Sequence, residues 1–263
     1  MTAELNALVV GANGPPVVFC HGLFGQGKNW TSVARALAGD HRCLLLDMPN
    51  HGRSPWTDRI GYPDLADQVA DRIAGLTGDE PVTVVGHSMG GKIAMMLALR
   101  HPDLVRRLCV VDVSPAPVRL DGESPFAQYV RGMRSLDLDR LPDRAAADRG
   151  LEPYVSDPVI RGFLLQNLRR DGDAWRWQMN LHVLGDRLDQ VGSWPTPSEP
   201  PYRGPVLWLA GERSDYITDA DREPMRALFP AVRKVVIKNA GHWVHSEQPE
   251  AFLSTLRVFL AAS

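Results

Sequence analysis

Two kinds of apolar pattern alternate along the first half of the chain. Continuous apolar runs at 17–20, 43–47, 82–85 and 108–113 predict strands covered on both faces. Between them, apolar residues recur at helical spacing. One set is Trp30, Val33, Ala34 and Leu37, and a second is Leu65, Val69, Ile73 and Leu76. A third, Ile93, Met96 and Leu97 with Arg100, is closed by His101-Pro102. The alternation returns late in the chain, with strands at 206–210 and 234–237 and helices at 224–228 and 250–260. Apolar strands separated by helices predict an α/β fold, a mostly parallel sheet with helices on both faces.

The segment 115–204 breaks this rhythm. It carries charges of both signs, Pro115, Pro117, Pro142 and Pro158, and several short helical stretches. It ends in a cluster formed by Pro195, Pro197, Pro200, Pro201 and Pro205. The pattern predicts one core, residues 1–114 and 205–263, interrupted by a helical cap at 115–204. The insertion joins the ends of two strands, where ligand crevices of such sheets lie.

Composition narrows the function classes. The chain has 263 residues, 44% hydrophobic and 23% charged, which excludes a disordered chain, a collagen-like fibre and a coiled coil. A net charge of −2 offers no broad basic face to nucleic acid or to an anionic membrane. No apolar run is long enough to span a bilayer, and residues 1–10 lack the charged and apolar regions of a secretory leader. Cys20, Cys43 and Cys109 each sit in an apolar run and are expected to be buried small hydrophobes. They cannot all pair within the chain, which points to a reducing, cytoplasmic compartment. There is no CxxC and no HExxH, so neither metal nor cofactor is expected.

The pentapeptide Gly86-His87-Ser88-Met89-Gly90 is a G-x-S-x-G motif. Alone it is a weak signal, but here it follows a strand and opens a helix, the context the motif requires. Such a turn holds the serine in strained backbone geometry and exposes its oxygen at the sheet edge, beside a helix N-terminus that favours negative charge. A phosphate loop is not expected, because Gly86-His87-Ser88-Met89-Gly90-Gly91-Lys92 lacks the spacing of its glycines.

A serine hydroxyl needs a base. Of the eight histidines, His242 lies in Asn239-Ala240-Gly241-His242-Trp243, just past the last strand and at the same sheet edge as Ser88. His21, His51 and His87 fall inside other turn motifs and are read as structural, and His245 as a surface or capping residue. Two aspartates qualify as the acid that orients the base. Asp112 ends the strand after the elbow helix. Asp215 lies in Gly211-Glu212-Arg213-Ser214-Asp215, after the strand at 206–210. The residues leave the choice open, with Asp112 weighed above Asp215. Donors for a developing oxyanion are expected from the Met89 N–H and from His21-Gly22-Leu23-Phe24-Gly25, with Leu23 first and Phe24 second.

These segments, with Asp47-Met48-Pro49-Asn50-His51-Gly52-Arg53-Ser54, resemble the α/β-hydrolase superfamily over nearly the whole chain. Within it, three features are similar to small acyl-esterases of the α/β-hydrolase domain-containing protein eleven branch and its bacterial relatives. They are Lys92 after the double glycine, Val111-Asp112-Val113-Ser114-Pro115, and Trp175-Arg176-Trp177-Gln178 with Asn180-Leu181. The resemblance implies a serine esterase with a helical cap and a serine, histidine and aspartate triad. Most members of the superfamily keep the acid three residues past the glycine that ends the later strand, a slot held here by Ser214. In this branch the aspartate of the Asp-Val-Ser-Pro run looks like the acid, which implies Asp112.

The function expected is a carboxylic ester hydrolase acting on small to medium acyl esters, including thioesters, with no cofactor and a small-molecule acyl ester as its partner. Perhydrolase, lactonase and acyltransferase activities share the serine triad and are the alternatives, and a non-catalytic ligand-binding protein on the same scaffold is a further one. Ser88 argues against the dehalogenases and epoxide hydrolases of this scaffold, whose nucleophile is an aspartate. Of the aromatic residues in the cap, one or two are expected to line an acyl pocket.

Overall fold

The computed structural model describes residues 4–172 and 174–262. Met1–Ala3 of the N-terminal stretch, Asp173 of the insertion and Ser263 lie outside the described residues. The first half runs β1 (Ala7–Val10), β2 (Pro16–Cys20), α1 (Thr31–Leu37), β3 (Arg42–Leu46), α2 (Tyr62–Thr77), β4 (Val82–His87), α3 (Met89–Arg100) and β5 (Val105–Val111). There follow α4 (Pro125–Ser135), α5 (Arg144–Leu151), α6 (Pro158–Leu165), a hairpin of β6 (Leu168–Asp171) and β7 (Ala174–Trp177), α7 (Leu181–Asp186) and α8 (Leu188–Gly192). The chain closes with β8 (Val206–Gly211), α9 (Arg222–Leu228), β9 (Val232–Ile237), α10 (Val244–Glu247) and α11 (Pro249–Ala261).

The main sheet has the order β1-β3-β2-β4-β5-β8-β9. Only β1 is antiparallel to its neighbour. The buried strands read as unbroken apolar runs because each face has its own core. Val18, Leu44, Val84, Leu108 and Trp208 point into one cluster, packed under α2 and α3. Val17, Leu45, Val85, Cys109 and Leu207 point into the other, packed under α1 and α11. Alternation survives inside the strands, but both faces need hydrocarbon, so it vanishes from the hydropathy pattern.

Parallel pairing brings the C-terminal ends of β2, β3, β4, β5, β8 and β9 to one edge. Cys20 lies opposite Gly86, His87 opposite Val111, and Val111 opposite Leu209. All the chemistry-bearing loops named above leave from this edge. Cys20, Cys43 and Cys109 are free and buried; burial raises all three thiols and pushes Cys20 up to about 12, so they behave as inert apolar side chains.

Two elements differ from the sequence expectation. β1, Ala7-Leu8-Val9-Val10, is an apolar run like the others, but it is an edge strand with both faces partly exposed and stands outside the strand–helix alternation from which the other strands are predicted. The segment between β5 and β8 is not wholly helical: β6 and β7 pair antiparallel, Leu168 with Trp177 and Arg170 with Trp175. Four-residue strands rich in arginine carry too few alternations to be told from a loop. Among the described residues, no helix is long and apolar enough to cross a membrane.

Candidate active site

Ser88 stands between the last residue of β4 and the first of α3, with φ 53° and ψ −122°, in the left-handed region that non-glycine residues avoid. Its backbone is held from several sides. The Ser88 N–H donates to the Val111 carbonyl at 3.1 Å, and the Ser88 carbonyl accepts from Gly91 at 2.8 Å and Lys92 at 3.1 Å. The glycines let the neighbouring loop approach. A Cβ on Gly90 would run into the carbonyls of Cys20 and His21, and one on Gly22 would meet His87 Nδ1 at 3.0 Å and Ser88 Cβ at 3.2 Å. The loop after β2 therefore crosses directly over the elbow.

Asp112 follows β5 with φ 52°, a second non-glycine residue in the left-handed region, and is fully buried. It lies one residue past the strand end, not within it, and its N–H donates to the Leu209 carbonyl at 2.8 Å. Its carboxylate accepts from the Gly211 N–H at 2.9 Å, from the Ser214 hydroxyl, and from His242 Nδ1 at 2.8 Å. An ionised carboxylate is acceptor-only, so the proton on Nδ1 leaves His242 Nε2 as a lone-pair acceptor. That Nε2 is buried and has no partner among the described residues. Ser88 and His242 line the same cavity, and Tyr216 stacks on the imidazole with ring centroids 3.9 Å apart. Asp215 is exposed and makes no hydrogen bond to His242 among the described residues.

The loop that carries His242 is fastened to the loop after β8. The Glu247 carboxylate accepts from the N–H groups of Gly241 at 2.8 Å and Trp243 at 3.2 Å and from Arg213 at 3.2 Å. Sequence reasoning misses Glu247, because an exposed acid on a four-residue helix leaves no signal. Ser214 is also missed as a participant. It occupies the slot where the resemblance places an acid, and its hydroxyl reaches the Asp112 carboxylate.

On the other side of Ser88, the structure separates the two oxyanion candidates of the first loop. The Phe24 N–H donates to His51 Nε2 at 3.1 Å, so it is already engaged. The N–H groups of Leu23 and Met89 enter no hydrogen bond among the described residues.

His21, His51 and His87 act as buried cross-links, in keeping with their structural reading. His21 Nδ1–H donates to the Gly22 carbonyl at 2.8 Å while Nε2 accepts from Met48 N–H at 2.9 Å. His51 Nδ1–H donates to the Pro49 carbonyl at 2.9 Å. His87 Nε2–H donates to the His242 carbonyl at 2.8 Å, and burial holds His87 well below the ordinary histidine range. His245 corrects the expectation of a surface residue. Its ring stacks on Trp30 at 4.2 Å and meets His87 edge-on at 4.9 Å, because the short helix α10 turns it inward over the core. Among the described residues the apolar rings beside it are Trp30, far from it in the chain, and Phe252, unremarkable there, so the sequence does not announce that stack.

Burial of His51 has a measurable consequence. Desolvation, with the neighbouring His21, pushes it down to about 3 from an ordinary value of 6.5. The unfolded chain therefore takes up a proton that the folded one refuses as pH drops below 6.5. The stabilisation is complete above pH 6.5 and is lost as pH falls toward 3. We expect His51 to remove on the order of 2 kcal/mol of stability between pH 6.5 and 5. Urea melts at the two pH values check this, with a His51→Asn variant expected to show a shallower loss.

Two cavities meet at Ser88. One of about 400 Å³ is lined by the histidine-rich side, including His21, His87, His242 and His245, with Phe126 and Phe163 from the segment between β5 and β8. The other, of about 300 Å³, is mostly apolar: Val113, Val118, Leu120, Phe126 and Val191, with Tyr216. Leu23, Ser88, Met89 and Lys92 also line it. Of the aromatic residues in that segment, Phe126 and Phe163 reach the cavities. Tyr202 instead donates to the Val105 carbonyl at 2.8 Å, and Trp194 packs on Tyr62 at 6.2 Å.

A family model described as alpha/beta hydrolase fold matches residues 15–249. The chain is 39% identical over 253 residues to the mouse protein named sn-1-specific diacylglycerol lipase ABHD11, covering 94% of this chain and 81% of that one. It is 32% identical over 248 residues to Esterase YbfF of Escherichia coli K12, covering 94% of each. A solved structure titled marine microorganism esterase superposes with a TM-score of 0.93 at 35% identity, covering 98% of this chain and 100% of that one.

Proposed function

We propose, from the premise that this chain belongs to the alpha/beta hydrolase family and is a carboxylic ester hydrolase, that Ser88 is its nucleophile, His242 its general base and Asp112 the acid that orients His242. One observation carries the reading. The buried Asp112 fixes His242 through Nδ1 at 2.8 Å and leaves a desolvated, unpartnered Nε2 in the cavity that Ser88 also lines. That is the tautomer and orientation a general base requires.

In this reading, Ser88 Oγ attacks the ester carbonyl carbon while its proton passes to His242 Nε2. The carbonyl oxygen takes the negative charge and accepts from the Leu23 and Met89 N–H groups. Such a donor contributes about 3 kcal/mol of transition-state stabilisation. The bond to the leaving oxygen breaks as His242 returns the proton to the departing alcohol, leaving the acyl group on Ser88. A water molecule then loses a proton to His242 and attacks the acyl carbon. Ser88 leaves with that proton, and the carboxylic acid is released.

The acyl group enters the apolar cavity beside Leu120 and Val191, and residues 115–204 act as its cap. Substrates are taken to be small to medium acyl esters, whose hydrocarbon suits the Val113, Val118, Leu120, Phe126 and Val191 side chains that line this cavity. Three buried, unpaired cysteines support a reducing cytoplasmic setting. Phe126 faces both cavities, so Phe126→Ala is expected to raise kcat/KM for branched six- to eight-carbon acyl esters about tenfold relative to acetate, at a stability cost of about 3 kcal/mol. An unchanged ratio across a graded ester panel contradicts the cap assignment.

The serine assignment is tested by fluorophosphonate labelling followed by peptide mass spectrometry. A single adduct on the peptide bearing Ser88 is expected. An adduct on another residue, or none in active enzyme, refutes it.

A further inference from the structure

The elbow helix carries a charge that the proposed reaction does not use. Lys92, one turn after Ser88, is only 2% exposed. Its ammonium donates to the carbonyls of Gly192 at 2.7 Å and Ser193 at 2.8 Å, at the C-terminal end of α8. It lies 5.7 Å from the centre of the Tyr62 ring. Among the described residues, no carboxylate comes within ion-pair distance of it. An ammonium has three N–H donors, and two are accounted for. Lys92 also lines the apolar cavity with Ser88, Leu23 and Met89.

We propose that Lys92 determines acyl specificity: its remaining donor receives a carboxylate at the distal end of the acyl group, so that the preferred substrates are half-esters of short dicarboxylic acids. The inference rests on the serine esterase reading above. Helical side chains lean toward the helix N-terminus, so the lysine stem tilts back toward the elbow. Four residues separate the two positions, roughly 6 Å along the helix axis. Three methylenes between an ester carbonyl and a carboxylate span about 5 Å in extended form, which matches that reach.

The electrostatics favour an anion over hydrocarbon. A buried charge without a counter-ion is costly, and an aliphatic acyl chain beside Lys92 would leave it so. Desolvation already pushes the ammonium down to about 7. A carboxylate in the cavity would hold it in the charged form. The two carbonyls also give Lys92 a structural part, tying the end of α8 to the elbow helix. A lysine with that part alone would not discriminate between acyl termini of equal shape.

The test compares monomethyl glutarate with methyl 5-methylhexanoate, in which an isopropyl group replaces the carboxylate at equal size. For the wild-type protein, kcat/KM is expected to favour the half-ester at least tenfold, and Lys92→Met is expected to reduce that ratio at least tenfold. A wild-type ratio below ten, or a ratio unchanged in Lys92→Met, overturns the proposal. Should Lys92→Met fail to fold, the wild-type ratio decides alone, by the same threshold. Fluorophosphonate labelling run in parallel keeps the two readings apart. A labelled Ser88 with a ratio below ten overturns only the role of Lys92, whereas an unlabelled Ser88 in active enzyme overturns the serine mechanism.

Discussion

Ser88→Ala and His242→Ala each lower kcat for ester hydrolysis by about 10⁴-fold or more, and the double variant is little worse than either single one. The proposed attack needs a hydroxyl at a point set by the left-handed backbone of Ser88 and a free Nε2 on a carboxylate-oriented His242. His245, which lines the same cavity with an unpartnered Nδ1, has no carboxylate partner among the described residues and is pushed down to about 3 by burial, so it is no substitute. His21, His51 and His87 have both an engaged donor and a lowered affinity for protons, or are turned toward backbone carbonyls, so none replaces His242. Near-equality of single and double variants follows because the two groups move one proton between them. Ala at position 88 removes no packing of consequence, so circular dichroism and thermal melts are expected to be close to wild type. Retention of most of kcat in either single variant contradicts the assignment.

The second large effect separates the two aspartates. Asp112→Asn is expected to lower kcat by about 10³-fold or more, and Asp215→Asn by less than about tenfold, measured on one activated ester with folding checked by circular dichroism. Asp112 accepts three hydrogen bonds in a fully buried setting. An amide there either turns its NH₂ against Nδ1–H or drives the proton to Nε2, and both remove the base. It also withdraws the negative charge that stabilises an imidazolium. Asp215 is solvent-exposed, one residue beyond the slot where the Ser214 hydroxyl meets the Asp112 carboxylate. Its loss leaves that arrangement intact. The reverse ranking would move the acid to the later loop, and two mild effects would mean that neither carboxylate alone orients His242.

Much of this arrangement can be read from the chain because it depends on local rules. Strands buried on both faces must be apolar throughout, so β2 to β5 and β8 announce themselves, and their parallel pairing brings the loops after them to one edge. The elbow is legible because only small residues at 86 and 90 fit its close approaches. Ser88, Asp112 and His242, read from separate motifs, lie together in the fold. What is not legible depends on long-range contacts. The stack of His245 on Trp30, the Glu247 clasp on the His242 loop and the placing of Lys92 against α8 each join residues whose separation or exposure gives no periodic signal. β1 and the β6–β7 hairpin escape for a different reason. The arginine-bearing strands β6 and β7 have no apolar run to detect, and β1, though apolar, is a four-residue edge strand outside the strand–helix alternation.

The central claim is a covalent acyl group on Ser88, and it can be weighed directly. Enzyme turning over a short acyl ester is quenched in acid within milliseconds, digested, and its peptides are analysed by mass spectrometry. The account predicts the mass increment of the acyl group on the peptide containing Ser88, located on that serine by fragmentation, with no increment in Ser88→Ala. Turnover at full rate with Ser88 unmodified at every quench time and an acyl group on another residue would contradict it.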